Sequence, residues 1–66
     1  MKVHKVIEVL AFSEKSWEDA AQIAVIEASR NVRNIESIYI KEKSGKVKEN
    51  KIVQYRITAK ITFGIE

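Results

Sequence analysis

From Val53 to Phe63 the chain alternates without a break. Val53, Tyr55, Ile57, Ala59, Ile61 and Phe63 are apolar, and Gln54, Arg56, Thr58, Lys60 and Thr62 between them are polar. This period of two predicts a strand over about Lys51–Phe63 with one face on a core and the other on water, a second subunit or a ligand. Val3–Phe12 predicts a different kind of strand. Val3, Val6, Ile7, Val9, Leu10 and Phe12 put apolar side chains on both faces, so cover is expected on both sides. Between these strands, "FSEKSWEDAAQIAVIEASRNV" reads as a helix. Trp17, Ala20, Ala21, Ala24, Ala28 and Val32 recur at three- and four-residue steps, a stripe whose small members let a helix lie close to a sheet. Ile23, Val25 and Ile26 widen the apolar surface beyond that stripe. Ser13 or Ser16 is the expected cap, and Ser16 with Asp19 has capping-box spacing. Glu14, Glu18 and Asp19 fall at the positive end of the helix dipole and Arg30 and Arg33 toward its negative end. Ile38 and Ile40, alternating with Ser37, Tyr39 and Lys41, begin a further strand, and "KEKSGKVKENK" reads as a polar connection with its turn at Gly45. The order is β-α-β-β, an α+β pattern over residues 1–66 expected to form a single domain.

Length sharpens this picture. A chain of 66 residues buries only about 60% of the surface it exposes when unfolded, and domains this small usually need disulfides, a metal or partner subunits. There is no cysteine, and His4 is the sole histidine, so a disulfide is excluded and a zinc site nearly so. Self-association is therefore expected. No apolar run approaches the roughly 20 residues that span a bilayer, and Glu8 interrupts the apolar stretch near the start, unlike a signal peptide. A cytoplasmic protein without a membrane partner is expected.

The net charge of +3 is modest, and acidic and basic residues are interspersed. Lys41, Lys43, Lys46, Lys48 and Lys51 cluster, but Glu42 and Glu49 dilute them and no aromatic residue lies among them as a stacking platform. The cluster reads as a solvated hairpin rather than a nucleic-acid surface. Catalytic motifs are lacking: there are only two glycines, so no phosphate loop, and one histidine with no paired nucleophile. A non-enzymatic protein is expected. Trp17 reads as a core anchor. Arg56 is the distinctive polar residue, because a guanidinium on a flat sheet pairs bidentately with a carboxylate or phosphate or stacks on a ring. From the residues alone, a ligand contact and an inter-subunit salt bridge with Glu42 or Glu36 stand as equal readings.

The β-α-β-β order, "VIEVLAFSEKSWEDAA" leading into the helix, and the ending "YRITAKITFGIE" with Tyr55 and Phe63 eight residues apart together resemble the dodecin family over nearly the whole chain. The resemblance implies a three-stranded antiparallel sheet wrapped around one helix, assembled into a hollow homododecamer. It also implies flavin storage, with riboflavin or FMN rings stacked between tryptophans and hydrogen-bonded by a glutamine. At the corresponding positions this chain carries Ser37 for the tryptophan and Arg56 for the glutamine, while Glu42 matches an acidic residue near the ribityl chain. Loss of the stacking platform implies weaker flavin binding, by roughly 1–3 kcal/mol per ring. The "SWEDAA" tryptophan, Ser37 and "YRI" resemble most the calcium dodecin branch. The alternative to a flavin-type store is thus a structural or calcium-binding shell with no flavin site, in which Glu36, Glu42 and Glu49 are the acidic candidates.

Overall fold

The computed structural model describes residues 3–65; Met1, Lys2 and Glu66 lie outside the described residues. Strand β1 spans Val3–Ser13, helix α1 Trp17–Ala28, strand β2 Ile35–Lys48 and strand β3 Lys51–Ile65. The strands form one antiparallel sheet in the order β1-β3-β2, so the strictly alternating strand is central and both other strands are edges. The single helix lies across one face of the sheet and packs on all three strands. Among the described residues no helix is long and apolar enough to cross a membrane.

The helix starts where its chemistry dictates. Ser16 is extended, and its hydroxyl accepts from the backbone N–H of Asp19 at 2.9 Å, satisfying one of the amides that has no partner inside the helix. The reciprocal half of a capping box is diverted: the Asp19 carboxylate accepts from the Ser13 hydroxyl at 2.6 Å, and that hydroxyl in turn accepts from the Lys15 amide at 2.9 Å. Both candidate serines thus help build the turn, but only Ser16 is the cap. The helix ends at Ala28 with no basic residue in its last turn. Arg30 and Arg33 lie just past this end, since the chain turns at Ser29–Asn31 to reach β2, earlier than the Val32 to which the sequence pattern carried the helix.

The core is small and built of small residues: Ala11, Ala20, Ala24, Ala28, Ile57, Ala59 and Ile61. Ile57 and Ile61 are its only large side chains that are fully buried, each contributing about 1.5–3 kcal/mol by leaving water. The alanines at 20, 24 and 28 bring the helix backbone close to β3, and Trp17, Ala21 and Val32 extend the stripe at lower burial. β1 shows its two-sided character directly: Ile7 and Val9 pack on the core, while Val6, Leu10 and Phe12 point away and are 56%, 78% and 59% exposed.

The hairpin differs from the sequence-based expectation. Gly45 is not at a turn but inside β2, paired with Tyr55, and the strand continues to Lys48. The turn is the two-residue Glu49–Asn50, both with positive φ (54° and 65°), which matches the right-handed twist of the flanking strands. Gly45 serves packing instead: a Cβ there would sit 3.3 Å from Ile52 Cγ2 and 3.8 Å from Trp17 Cζ2. The turn leaves room for improvement, because a left-handed conformation costs a side-chain-bearing residue roughly 1–2 kcal/mol. Glu49→Asn with Asn50→Gly is expected to raise the unfolding free energy by roughly 1 kcal/mol in urea titrations; a lower midpoint would show that Glu49 makes a contact worth more than its strain.

Candidate functional site

The face of the sheet away from the helix carries the distinctive residues, arranged in rows across β1, β3 and β2. Alternation sends Ile57, Ala59 and Ile61 to the core and therefore Arg56, Thr58, Lys60 and Thr62 to the opposite face. Antiparallel register then sets their neighbours. Arg56 lies between Phe12 and Ser44, Thr58 between Leu10 and Glu42, Lys60 between Glu8 and Tyr39, and Thr62 between Val6 and Ser37.

Two polar side-chain pairs cross the central strand on this face, one of histidine with glutamate and one of lysine with glutamate. His4 Nε2 lies 3.0 Å from Glu36 Oε1 and 3.2 Å from Oε2, with Gly64 between them in the row. A Cβ on Gly64 would stand 3.1 Å from that second oxygen, so the glycine opens the passage over β3. Lys41 Nζ approaches Glu8 Oε2 at 3.4 Å. Each pair is about half exposed and stabilises by no more than about 1 kcal/mol. Their main consequence is to occupy Glu36 and Glu8. Among the described residues Arg56 forms no ion pair within the chain, and Glu42 is likewise without a basic partner.

The sequence-derived site residues share this face but not one spot. Glu42 is opposite Thr58, diagonal to Arg56 and two residues away along β3, within reach of long side chains. Ser37 is opposite Thr62, six residues from Arg56, which in a strand is about 20 Å. One chain thus brings Arg56 and Glu42 together and leaves Ser37 apart. Phe12 was not singled out in the sequence as a site residue, although the even-numbered alternation of β1 places it on this face, directly beside Arg56. Among the described residues no group of three histidine or acidic side chains is placed to hold a metal ion.

Trp17 takes no part in this face. Its indole N–H donates to the Ser44 carbonyl at 2.9 Å, and its ring meets Tyr55 edge-on with centroids 4.8 Å apart and planes at 82°. The tryptophan therefore clamps the start of the helix to the hairpin, beneath the strands that carry Arg56.

This combination of one helix on a three-stranded sheet with a central alternating strand has a known family. The Dodecin family profile matches residues 3–66. The chain belongs to the dodecin family. Members of this family are small-molecule-binding, self-associating proteins, and at that level the family describes this chain too. This dodecin is 29% identical to the dodecin of Thermus thermophilus over 65 residues, 98% of this chain and 94% of the relative. Its fold matches the crystal structure of an arginine-to-alanine variant of the Thermus protein with a TM-score of 0.94, covering 100% of this chain and 98% of the other. It also matches calcium dodecin of Mycobacterium tuberculosis, a calcium-chelating immunodominant antigen with a novel calcium-binding site, at 33% identity and a TM-score of 0.82, covering 97% and 91% of the two chains.

Proposed function

We propose that this dodecin is a non-enzymatic storage shell, a hollow homododecamer that holds an anionic aromatic compound of the flavin type. The observation that carries this reading is Arg56: an exposed guanidinium on a flat sheet face, without a carboxylate partner in its own chain and flanked by Phe12 and Ser44. Arg56 supplies a charge-assisted, fork-shaped donor to a phosphate or to a ring carbonyl. Glu42, diagonal to it, accepts from ligand hydroxyls. Ser37 enters a ligand site with Arg56 only from another copy, since one chain separates the two by about 20 Å of strand. In this reading position 37 offers a hydroxyl and free space where the family resemblance places a ring platform.

The test is direct titration of the purified protein with FMN and riboflavin, followed by flavin fluorescence. FMN is expected to bind more tightly than riboflavin. Arg56→Ala is expected to weaken FMN binding by roughly 10- to 150-fold, the value of a charged hydrogen bond of about 1.5–3 kcal/mol. Unchanged affinity in the variant would remove Arg56 from the site, and absence of FMN binding by the parent protein would sink the flavin reading. A second reading is supported by the likeness to calcium dodecin at 33% identity together with the serine at position 37. It is a cation-binding shell without flavin, with Glu42 as the uncommitted carboxylate of this face. Calcium that raises the melting temperature of a protein indifferent to FMN would decide for it.

A further inference from the structure

At the end of the sheet far from Arg56, eight residues or roughly 26 Å along β3, His4 of β1 pairs with Gly64. Glu36 of β2 reaches His4 across that glycine because the ladder shifts there. Ile35 pairs with Phe63 and Ser37 with Thr62, so two steps along β2 match one along β3 and Glu36 is left out of the pairing. A bulge of this kind re-aims a side chain. Here it turns the carboxylate toward β1, where both oxygens face His4 Nε2, at 3.0 and 3.2 Å.

Gly64 forms the floor between them. A Cβ on it would stand 3.1 Å from Glu36 Oε2, 3.8 Å from His4 Cδ2 and 3.8 Å from Asn34 Cβ. Three polar side chains, from β1, from β2 and from the residue preceding β2, thus surround one patch of bare backbone. Asn34 is fixed there by a left-handed backbone (φ 61°) and by its carbonyl, which accepts from the Gly64 N–H at 3.0 Å. An exposed histidine–glutamate contact stabilises a fold very little. It requires neither a bulge nor a floor without a side chain.

We propose that His4, Glu36 and Asn34 bind a divalent transition-metal ion of the zinc type above Gly64. Imidazole nitrogen beside carboxylate oxygen is a donor set that suits zinc and its neighbours, whereas calcium takes six to eight oxygens. The spacing fits. Two ligands each about 2.0–2.2 Å from a zinc ion stand about 2.9–3.4 Å from one another, and His4 Nε2 lies within that window of both Glu36 oxygens. On binding, the ion replaces the proton on Nε2, which passes to solvent while Nδ1 keeps its own. The carboxylate supplies an oxygen, the exposed Asn34 side chain turns its amide oxygen inward, and water fills the remaining positions. A count of histidine and cysteine passes over this site, because two of its donors are a carboxylate and an amide. The site is independent of the flavin reading, and Arg56→Ala is expected to leave it intact.

Calorimetric titration of the metal-stripped, assembled protein with zinc chloride is expected to show one ion bound per chain. No binding up to about 1 mM zinc would overturn the proposal. His4→Gln and Glu36→Gln are each expected to weaken binding by about tenfold or more, and zinc held equally well by either variant would reject the site. Gly64→Ala removes no donor but puts a Cβ against Glu36, and it too is expected to cost about tenfold. Unchanged affinity there would reject the placement above the glycine. Calcium at equal concentration is expected not to compete; displacement of zinc by calcium would reject the imidazole as a ligand. Because His4 is the sole histidine, modification by diethyl pyrocarbonate followed by peptide mass spectrometry gives a separate readout. Zinc is expected to protect His4 from the reagent, and equal rates of modification with and without zinc would overturn the assignment.

Discussion

Ile61→Ala is expected to lower the unfolding free energy by about 2–5 kcal/mol, the cost of deleting a buried aliphatic side chain and leaving a cavity. Ile61 is 0% exposed and shares with Ile57 the distinction of being a large, fully buried side chain. Its register neighbours Ile7 and Ile38 can relax into part of the gap, whereas Ala20, Ala24, Ala28 and Ala59 have no rotamers to swing inward. The middle of the range is therefore the expectation. A chain of 66 residues has a total stability of only roughly 3–10 kcal/mol, so the variant should be partly unfolded as a single chain. Urea titrations at several protein concentrations measure this and separate folding from assembly, since subunit association stabilises by mass action. A loss below about 1 kcal/mol would mean that the alanine-rich core contributes little and that contacts between copies hold the fold.

The second large effect is expected at Trp17. Trp17→Ala should cost about 3 kcal/mol, the low end for a large aromatic side chain because this one is only partly buried. The substitution removes the hydrogen bond to the Ser44 carbonyl, the edge-on contact with Tyr55 and the cover over Gly45. Trp17→Phe separates these contributions. A ring remains for Tyr55, and loss of the indole donor alone is expected to cost about 1 kcal/mol. Thermal melts followed by far-ultraviolet dichroism report both variants, and in a chain this small each kcal/mol shifts the midpoint by about 4–8 °C. Equal losses in the two variants would mean that the hydrogen bond, rather than ring packing, fastens the helix to the hairpin.

Glycine and the turn show where sequence reading met its limit. Gly45 lies in a polar, lysine-rich stretch, and by local chemistry a turn there was reasonable. Its actual place is set by packing across the strands: a Cβ there would crowd Ile52 Cγ2 at 3.3 Å and the Gln54 carbonyl at 3.4 Å, with Trp17 at ordinary contact distance. Nothing local marks such packing. The Glu49–Asn50 turn lacks a glycine, so the usual signal for a two-residue hairpin was missing although the geometry is present. The helix end was overextended for a similar reason. Arg30 and Arg33 continue a helix-compatible composition, but the connection to β2 bends the chain after Ala28.

The candidate site divides along the same line. The polar face of β3 was legible from Val53–Phe63, because strand alternation is a property of the chain itself. The same reasoning assigned Ala20, Ala24 and Ala28 to one stripe of the helix and gave β1 apolar residues on both faces; the structure shows Val6, Leu10 and Phe12 on the exposed one. The stripe and the two-sided pattern belong to the sequence alone, since each follows from a local repeat that the backbone geometry translates into a direction. Only the tertiary structure decided which residues stand side by side: Phe12 and Ser44 flank Arg56, His4 occupies Glu36, and Ser37 is three rows from Arg56. Those relations depend on the strand order β1-β3-β2 and its register, which bring residues of β1 beside residues of β3 far along the chain. Register is set by how the whole sheet buries its apolar face against the helix, a condition no short stretch of the chain contains.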